Sequence, residues 1–301
     1  MELFNFYRKN RSRQPLLGAS VSRQGVRQLS KLLTLAFAWV VALGGCAPFE
    51  NNWIDQKVAA IEAYQTNLGA GASAHDLVSN VAFKSLVVEV SSVPGFAPTQ
   101  EALNRLQTFL NSSLNKPRGI RWMMGTELPP GTARGYTVQD LKNLENQFRR
   151  YKPQKDELTV HLLFLDQHSS DDTETQKILG QAFGNLSIAV FENSLRSATV
   201  KDTQSQTPVW ISEVTVTEHE FGHLLGLVGL PDAQGKVSPE ASALVRSSED
   251  ILHPAHCMNP NCLMYHAADT SAALSRAAGI LPQLDEACLN YLKQLGSSDA
   301  R

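Results

Sequence analysis

Near residue 220 an apolar stretch with helical spacing carries two histidines, and any fold of this chain has to bring them to one site. The run TEHEFGHLLG lies within an apolar segment that predicts a helix over 211–227. Residues four apart share one face of an α-helix, so the imidazoles of His219 and His223 can reach one metal ion. Zn²⁺ suits them because it accepts tetrahedral nitrogen ligands. The run therefore predicts a helix that supplies two zinc ligands.

Two carboxylates flank the first of these histidines, and they are given different roles. Glu220 follows His219 and is placed to take a proton from a zinc-bound water, whose pKa the metal lowers to about 7. Glu218 lies on the other side of His219 and is expected to be a solvated helix residue. The pattern predicts Glu220 as the general base of a zinc-dependent hydrolase.

Segments with strand and helix patterns alternate along most of the chain. The predicted strands are 85–91, 119–124, 158–166 and 187–191. The predicted helices are 99–114, 137–151, 211–227 and 284–295. This alternation indicates an α/β fold with a mostly parallel twisted sheet and covered faces. The strand 187–191 is expected at the edge above the cleft, where an extended substrate can pair with it.

A second motif begins 33 residues after His223. His256-Cys257 is followed, after four residues, by Cys262-Leu263-Met264. Together with the helical motif this resembles the archaemetzincin branch of the metzincin zinc peptidases, whose motif continues from a third histidine as HCxxxxCxM. The resemblance implies a third zinc ligand at His256 and a Met-turn at Met264. It also implies a zincin-like α+β domain with an antiparallel edge strand and a C-terminal helix, acting on a peptide or protein substrate.

The chain departs from the simplest metzincin pattern, HExxHxxGxxH, in one respect. Gly226 fits the glycine of that pattern, but Gly229 stands where the third histidine belongs. His256 would have to be delivered by a long loop instead. His253, Asp232 and Glu240 also remain open as the third ligand, because the sequence does not show which of them approaches the metal.

Three cysteines, Cys257, Cys262 and Cys288, belong to the same region. The resemblance implies a second, structural zinc held by four cysteines, but Asp285 occupies the place of one of them. In an oxidising compartment a disulfide is the preferred expectation, with the pairing left open. A site of three cysteines and one aspartate is the alternative.

The first 45 residues have the layout of a bacterial secretory signal. Seven basic side chains and one acidic side chain lie there, and the apolar stretch 32–45 is short for a membrane span. The stretch ends LGGC, which resembles a lipobox and implies cleavage before Cys46 and acylation of that cysteine. Residues 1–45 are thus predicted as a signal peptide, 46–80 as a tether and 81–301 as the peptidase domain. Ala47 favours an outer membrane anchor facing the periplasm.

The net charge of residues 46–301 argues against nucleic acid as a partner. Seven of the 27 basic and one of the 29 acidic residues lie in 1–45, which leaves 20 basic and 28 acidic residues, a net charge of −8. Nucleic-acid binding requires clustered Lys and Arg, so no nucleic-acid partner is expected. The partners expected are a peptide or protein and, through the lipid, a membrane. An alternative function is a non-catalytic zinc-containing lipoprotein that binds such a partner.

Overall fold

The computed structural model describes residues 68–201, 208–228, 249–250, 252–266 and 281–297, except for the side chains of Val200 and Lys201. The strands within these ranges are β1 Ser85–Ser92, β2 Ile120–Met124, β3 Glu157–Phe164, β4 Gly180–Gly184 and β5 Ser187–Val190. The helices are α1 Ala74–Val78, α2 Gln100–Ser113, α3 Val138–Phe148, α4 Glu192–Lys201, α5 Val209–Leu224 and α6 Glu286–Ser297. No helix in the described ranges is long and apolar enough to cross a bilayer.

Five strands form one sheet in the order β2-β1-β3-β5-β4. The first four are parallel, and β4 runs antiparallel to β5 at the edge. The predicted α/β class with a mostly parallel sheet and an antiparallel edge strand is therefore confirmed. The edge position itself was assigned to the wrong segment, since the predicted strand 187–191 becomes β5 and lies between β3 and β4.

The sheet is buried on both faces because its central strands are apolar on both sides. Val88 and Val160 belong to a core that also contains Leu110 of α2 and Phe221 of α5. The opposite face packs in a second core around Leu141 of α3. Continuous apolar strands such as β3 are typical of a parallel sheet covered by helices. This arrangement places α5 on one face, next to β4 and β5.

The structure corrects the predicted tether at its C-terminal end. Helix α1, which lies within the segment 46–80, buries Ala74, Leu77 and Val78 in the core. The Gly- and Ala-rich composition suggested a linker, but these small side chains allow close packing against the body instead. The tether therefore does not extend to residue 80. Residues 1–67, including the predicted signal peptide and Cys46, lie outside the described residues.

Candidate metal centre

Helix α5 runs through the interior, and every side chain from Ile211 to Leu224 is buried. A helix that is apolar on most sides is typical of a protein core. The helix ends at Leu224, and Gly226 then adopts φ +73°, a backbone conformation that residues other than glycine rarely adopt. The amide of Leu227 donates to the carbonyl of Gly222, and that of Gly226 to His223, as in a Schellman motif. The chain therefore turns sharply one turn after the second histidine.

Three imidazoles come together at one side of α5: His219 and His223 belong to the helix, and His256 comes from a later segment. Each offers one ligand atom, and these atoms lie within 4.8 Å of one another. The Nε2 atoms of His219 and His223 are 3.1 Å apart. Two nitrogens bound to one tetrahedral zinc at about 2.05 Å would lie about 3.3 Å apart. The donor set and its spacing therefore fit a zinc ion.

Hydrogen bonding and burial determine the protonation state of two of these imidazoles. Nδ1 of His219 is 2.8 Å from the carbonyl of Leu263, which can only accept, so Nδ1 carries the proton and Nε2 has the lone pair. Burial lowers the pKa of His219 to about 4. Burial and the neighbouring imidazoles of His219 and His256 hold the pKa of His223 well below its usual range. Both side chains are therefore neutral at pH 7, the form that binds metals.

His256 lies next to an isolated antiparallel bridge between Glu249 and Cys257. Nδ1 of His256 donates to the carbonyl of Pro254 at 3.1 Å, which leaves Nε2 as the nitrogen with a lone pair. The carbonyl of His256 accepts from the amide of Asp250. His253, the nearest rival, pairs with Asp250 instead. Asp232 and Glu240, which the sequence left open as third ligands, lie outside the described residues.

Glu220 lies between α5 and the edge strand β4. The amide of Ala182 donates to its Oε2 at 2.6 Å. A Cβ atom on Gly180 would lie 2.9 Å from the Cγ atom and 3.0 Å from the Oε1 atom of Glu220. Glu220 is 2% exposed. One strand thus both binds its carboxylate, through Ala182, and makes room for its side chain, through Gly180. Its place next to His219 is the one a general base needs, although its catalytic role stays a prediction.

Met264 lies beneath the helix between the two histidines. It is fully buried, and a Cβ atom on Gly222 would come within 2.2 Å of its Sδ atom. The preceding carbonyl, that of Leu263, is the one that orients His219. The segment predicted as a Met-turn thus contacts both the helix backbone and a candidate ligand. Tyr265 is half-buried and packs its ring against His266.

The three downstream cysteines form a second cluster with Asp285, and all four ligand atoms lie within 4.8 Å of one another. The cysteines are free thiols, so the preferred disulfide is absent among the described residues. Sγ of Cys262 is 3.8 Å from that of Cys288. A disulfide bond measures about 2.05 Å, whereas two thiolates on one tetrahedral zinc lie about 3.8 Å apart. The distances fit a site of three cysteines and one aspartate.

The surroundings of Cys262 agree with a thiolate. Its Sγ atom accepts the amides of Met264 at 3.4 Å and Asp285 at 3.5 Å. The hydrogen bond with Cys288 lowers the pKa of Cys262 to about 7. Burial raises the pKa of Cys257 to about 12, and the hydrogen bond with Cys262 raises that of Cys288. One thiol is thus ready to ionise, and a metal would be required to ionise the other two.

Sequence reasoning misjudged one residue here and missed another. Glu218, expected to be solvated, is only 6% exposed, and burial raises its pKa to about 8. Gly180 was missed, because no motif marks a glycine whose importance arises from a distant side chain. The apolar residues on all sides of the helix were the available signal that Glu218 would be buried.

No family model matches the sequence, and no curated protein matches it. Among solved structures the chain is similar to archaemetzincin from Methanopyrus kandleri, with 16% sequence identity. The similarity covers 70% of this chain and 96% of that one, with a TM-score of 0.44.

Proposed function

We propose that this protein is a zinc-dependent peptidase. The observation that carries the proposal is the convergence of His219, His223 and His256. Glu220 follows His219 in the chain, and its carboxylate accepts a hydrogen bond from β4. Three histidines leave one position of a tetrahedral zinc for water or substrate, as in catalytic rather than structural sites. A purely structural site would not need a buried carboxylate next to a ligand.

Each residue has a distinct task in this proposal. The three histidines would hold Zn²⁺, and the hydrogen bond to Leu263 orients His219. Zinc bound there would act as a Lewis acid on a carbonyl and make a water ligand acidic. Glu220 takes the proton from the attacking water and returns it to the leaving amine. The amide of Ala182 keeps that carboxylate on the side of the edge strand.

The position of β4 suggests how a peptide substrate binds. One side of β4 pairs with β5, and the other side has no strand partner within the described residues. An extended peptide can add to such an edge through main-chain hydrogen bonds. The edge lies against α5, so a peptide bound there would pass close to Glu220. This favours peptides over other hydrolysable substrates.

We also propose that the protein is exported and anchored through a lipid on Cys46, with the peptidase domain in the periplasm. The lipobox-like LGGC sequence after a basic and apolar segment supports this. Cys46→Ser should abolish incorporation of labelled fatty acid and release the protein from the membrane fraction. Absence of label in the wild-type protein would refute the anchor.

The peptidase proposal is tested with three proteins, the wild type, Glu220→Gln and His256→Ala, in parallel measurements of zinc content and peptide-library cleavage. Glu220→Gln should retain zinc and lose turnover by at least about 100-fold, because the amide cannot take a proton. His256→Ala should lose one equivalent of zinc as well as turnover.

Two results would contradict the proposal. Full cleavage by Glu220→Gln would exclude this residue as the base. Zinc in the wild type without cleavage of any library peptide would favour a zinc-containing binding protein instead.

A further inference from the structure

A third cluster of metal-ligating side chains lies next to the candidate zinc site. It consists of Asp250, His253 and His266, whose ligand atoms lie within 4.8 Å of one another. Oδ2 of Asp250 is 2.8 Å from Nδ1 of His253 and 3.8 Å from Nδ1 of His266. The two imidazoles stack with centroids 3.5 Å apart and an interplanar angle of 5°. One carboxylate oxygen and two imidazole nitrogens from separate positions thus lie close together, and one ring must turn out of the stack before both can bind one ion.

We propose that Asp250, His253 and His266 bind a second divalent transition-metal ion, with Zn²⁺ the preferred occupant. Asp250 forms a hydrogen bond with His253 at 2.8 Å. The 3.8 Å between Oδ2 of Asp250 and Nδ1 of His266 is too long for a second one. A divalent cation would be bound by both imidazoles and the carboxylate together. Two nitrogen ligands and one oxygen ligand suit zinc and its first-row neighbours more than magnesium or calcium.

The burial of the three side chains predicts an exchangeable site. The His253 side chain is 44% exposed, that of His266 25% and that of Asp250 16%. His253 therefore has room to tilt out of the stack toward a metal, and water can complete the coordination. Binding should be weaker than at the buried His219 and His223.

The new site would adjoin the first without sharing a ligand with it. The ring centroids of His256 and His266 are 6.5 Å apart. The amide of Asp250 donates to the carbonyl of His256, so a backbone hydrogen bond links the two clusters. The proposal does not depend on peptidase activity, because a binding protein with these residues would take up the same ion.

The test is equilibrium dialysis of the untagged full chain against zinc buffers of increasing free Zn²⁺, with bound zinc counted per chain. The wild type should take up one equivalent more at high free zinc than at low. Asp250→Asn and His253→Gln should lose that equivalent and keep the tightly bound zinc. His75→Gln is the matched control, because His75 lies 3.9 Å from Asp76 and belongs to none of the three-ligand groups found among the described residues; it should behave as the wild type does.

An extra equivalent that persists in both variants, or none in the wild type, would overturn the proposal. Cobalt substitution provides a second test that needs no variant. The additional Co²⁺ ion should give d–d bands without a thiolate charge-transfer band. A charge-transfer band that grows with the additional ion would place it at the cysteines and refute the site.

Discussion

At the scale of single residues, the interior of this protein contains a pair of carboxyl groups that are not part of any candidate metal site. Glu192, at the start of α4, is fully buried and contacts Glu213 of α5. Arg196 pairs with Glu192, and Thr99 donates to Glu213. Burial and then the Glu213 carboxylate raise the pKa of Glu192 to about 8, against the opposing effect of Arg196.

This raised pKa makes stability depend on pH. An ordinary glutamic acid titrates near 4.5, so between about pH 4.5 and 8 the folded protein binds more protons than the unfolded chain. The contribution of protonated Glu192 is complete below that range and is lost as the pH rises toward 8. Over this range Glu192 alone lowers the free energy of unfolding by up to about 1.4 kcal/mol per pH unit. Glu218, whose pKa is also raised, adds a slope of the same sign, and the lowered pKa values of His219 and His223 oppose it below about pH 6.5.

Glu192→Gln should remove this residue's contribution and make the slope less negative than in the wild type, because an amide has no proton to lose. The measurement is denaturant unfolding between pH 5 and 8. Glu101→Gln, on the exposed first turn of α2, is the control and should retain the wild-type slope. Equal slopes in all three proteins would contradict the assigned pKa.

Individual site residues differed in how far the sequence could predict them. The spacing of His219 and His223 was sufficient, because helix geometry alone places both on one face. His256 needed the resemblance to a family, since no periodicity links it to a helix that ends 32 residues earlier. The contact between Gly222 and Met264 depends on how two segments pack, so the sequence could not predict it.

At the scale of elements, β4 supports the candidate site more directly than any other strand. It closes the sheet beside α5, and its amide at Ala182 holds the carboxylate of Glu220. Two glycines bound the strand, and they face different surroundings. A Cβ atom on Gly180 would lie 2.5 Å from Cγ1 of Val216 and 2.9 Å from Cγ of Glu220, whereas one on Gly184 would have its nearest neighbour at 3.7 Å.

These two glycines form a matched pair of variants. Gly180→Ala should push against both Val216 and Glu220 and lower kcat by about tenfold or more, because small misplacements of a catalytic group are costly. Zinc content should not change, since the histidines are untouched. Gly184→Ala should keep both zinc and kcat. Peptide-cleavage kinetics with zinc analysis would test this, and equal kcat values in the two variants would refute a positioning role for β4.

Most elements could be predicted, and the ones missed share a physical cause. Strands such as β3 and helices such as α2 bury continuous or periodic apolar faces, which the sequence displays. β4 has the sequence GQAFG, with neither β-branched residues nor clear alternation, and it is a strand because β5 pairs with it. α1 and α4 were missed because short helices rich in small or polar residues depend on tertiary packing.

At the scale of the whole molecule, the histidine site and the cysteine cluster are linked through one segment. Cys257 follows His256, and Cys262 precedes the carbonyl that orients His219. The remaining donors, Asp285 and Cys288, belong to the C-terminal part of the chain. A metal at the cysteines would therefore attach the last helix to the segment that completes the histidine site.

Removing one donor tests whether that cluster binds metal. Cys288→Ser should reduce tightly bound zinc by one equivalent and lower the thermal midpoint by several degrees, because metal binding stabilises the folded state. The histidine site should keep its zinc. Thiol titration of the denatured wild type without reductant provides the opposing test. The three cysteines of the cluster should all react, in addition to Cys46 wherever it is not acylated, whereas a disulfide would leave only one of the three reactive.

The placement of Cys257 and Cys262 beside the histidine site also bears on chemical durability. Imidazoles resist mild oxidants, but thiols do not. In an exported protein, oxidation of either cysteine would distort the backbone that carries His256 and the carbonyl bound to His219. The histidine site has no sulfur ligands, but we expect peroxide to inactivate it through oxidation of these cysteines. A metal bound at the cysteines should protect them and slow that inactivation.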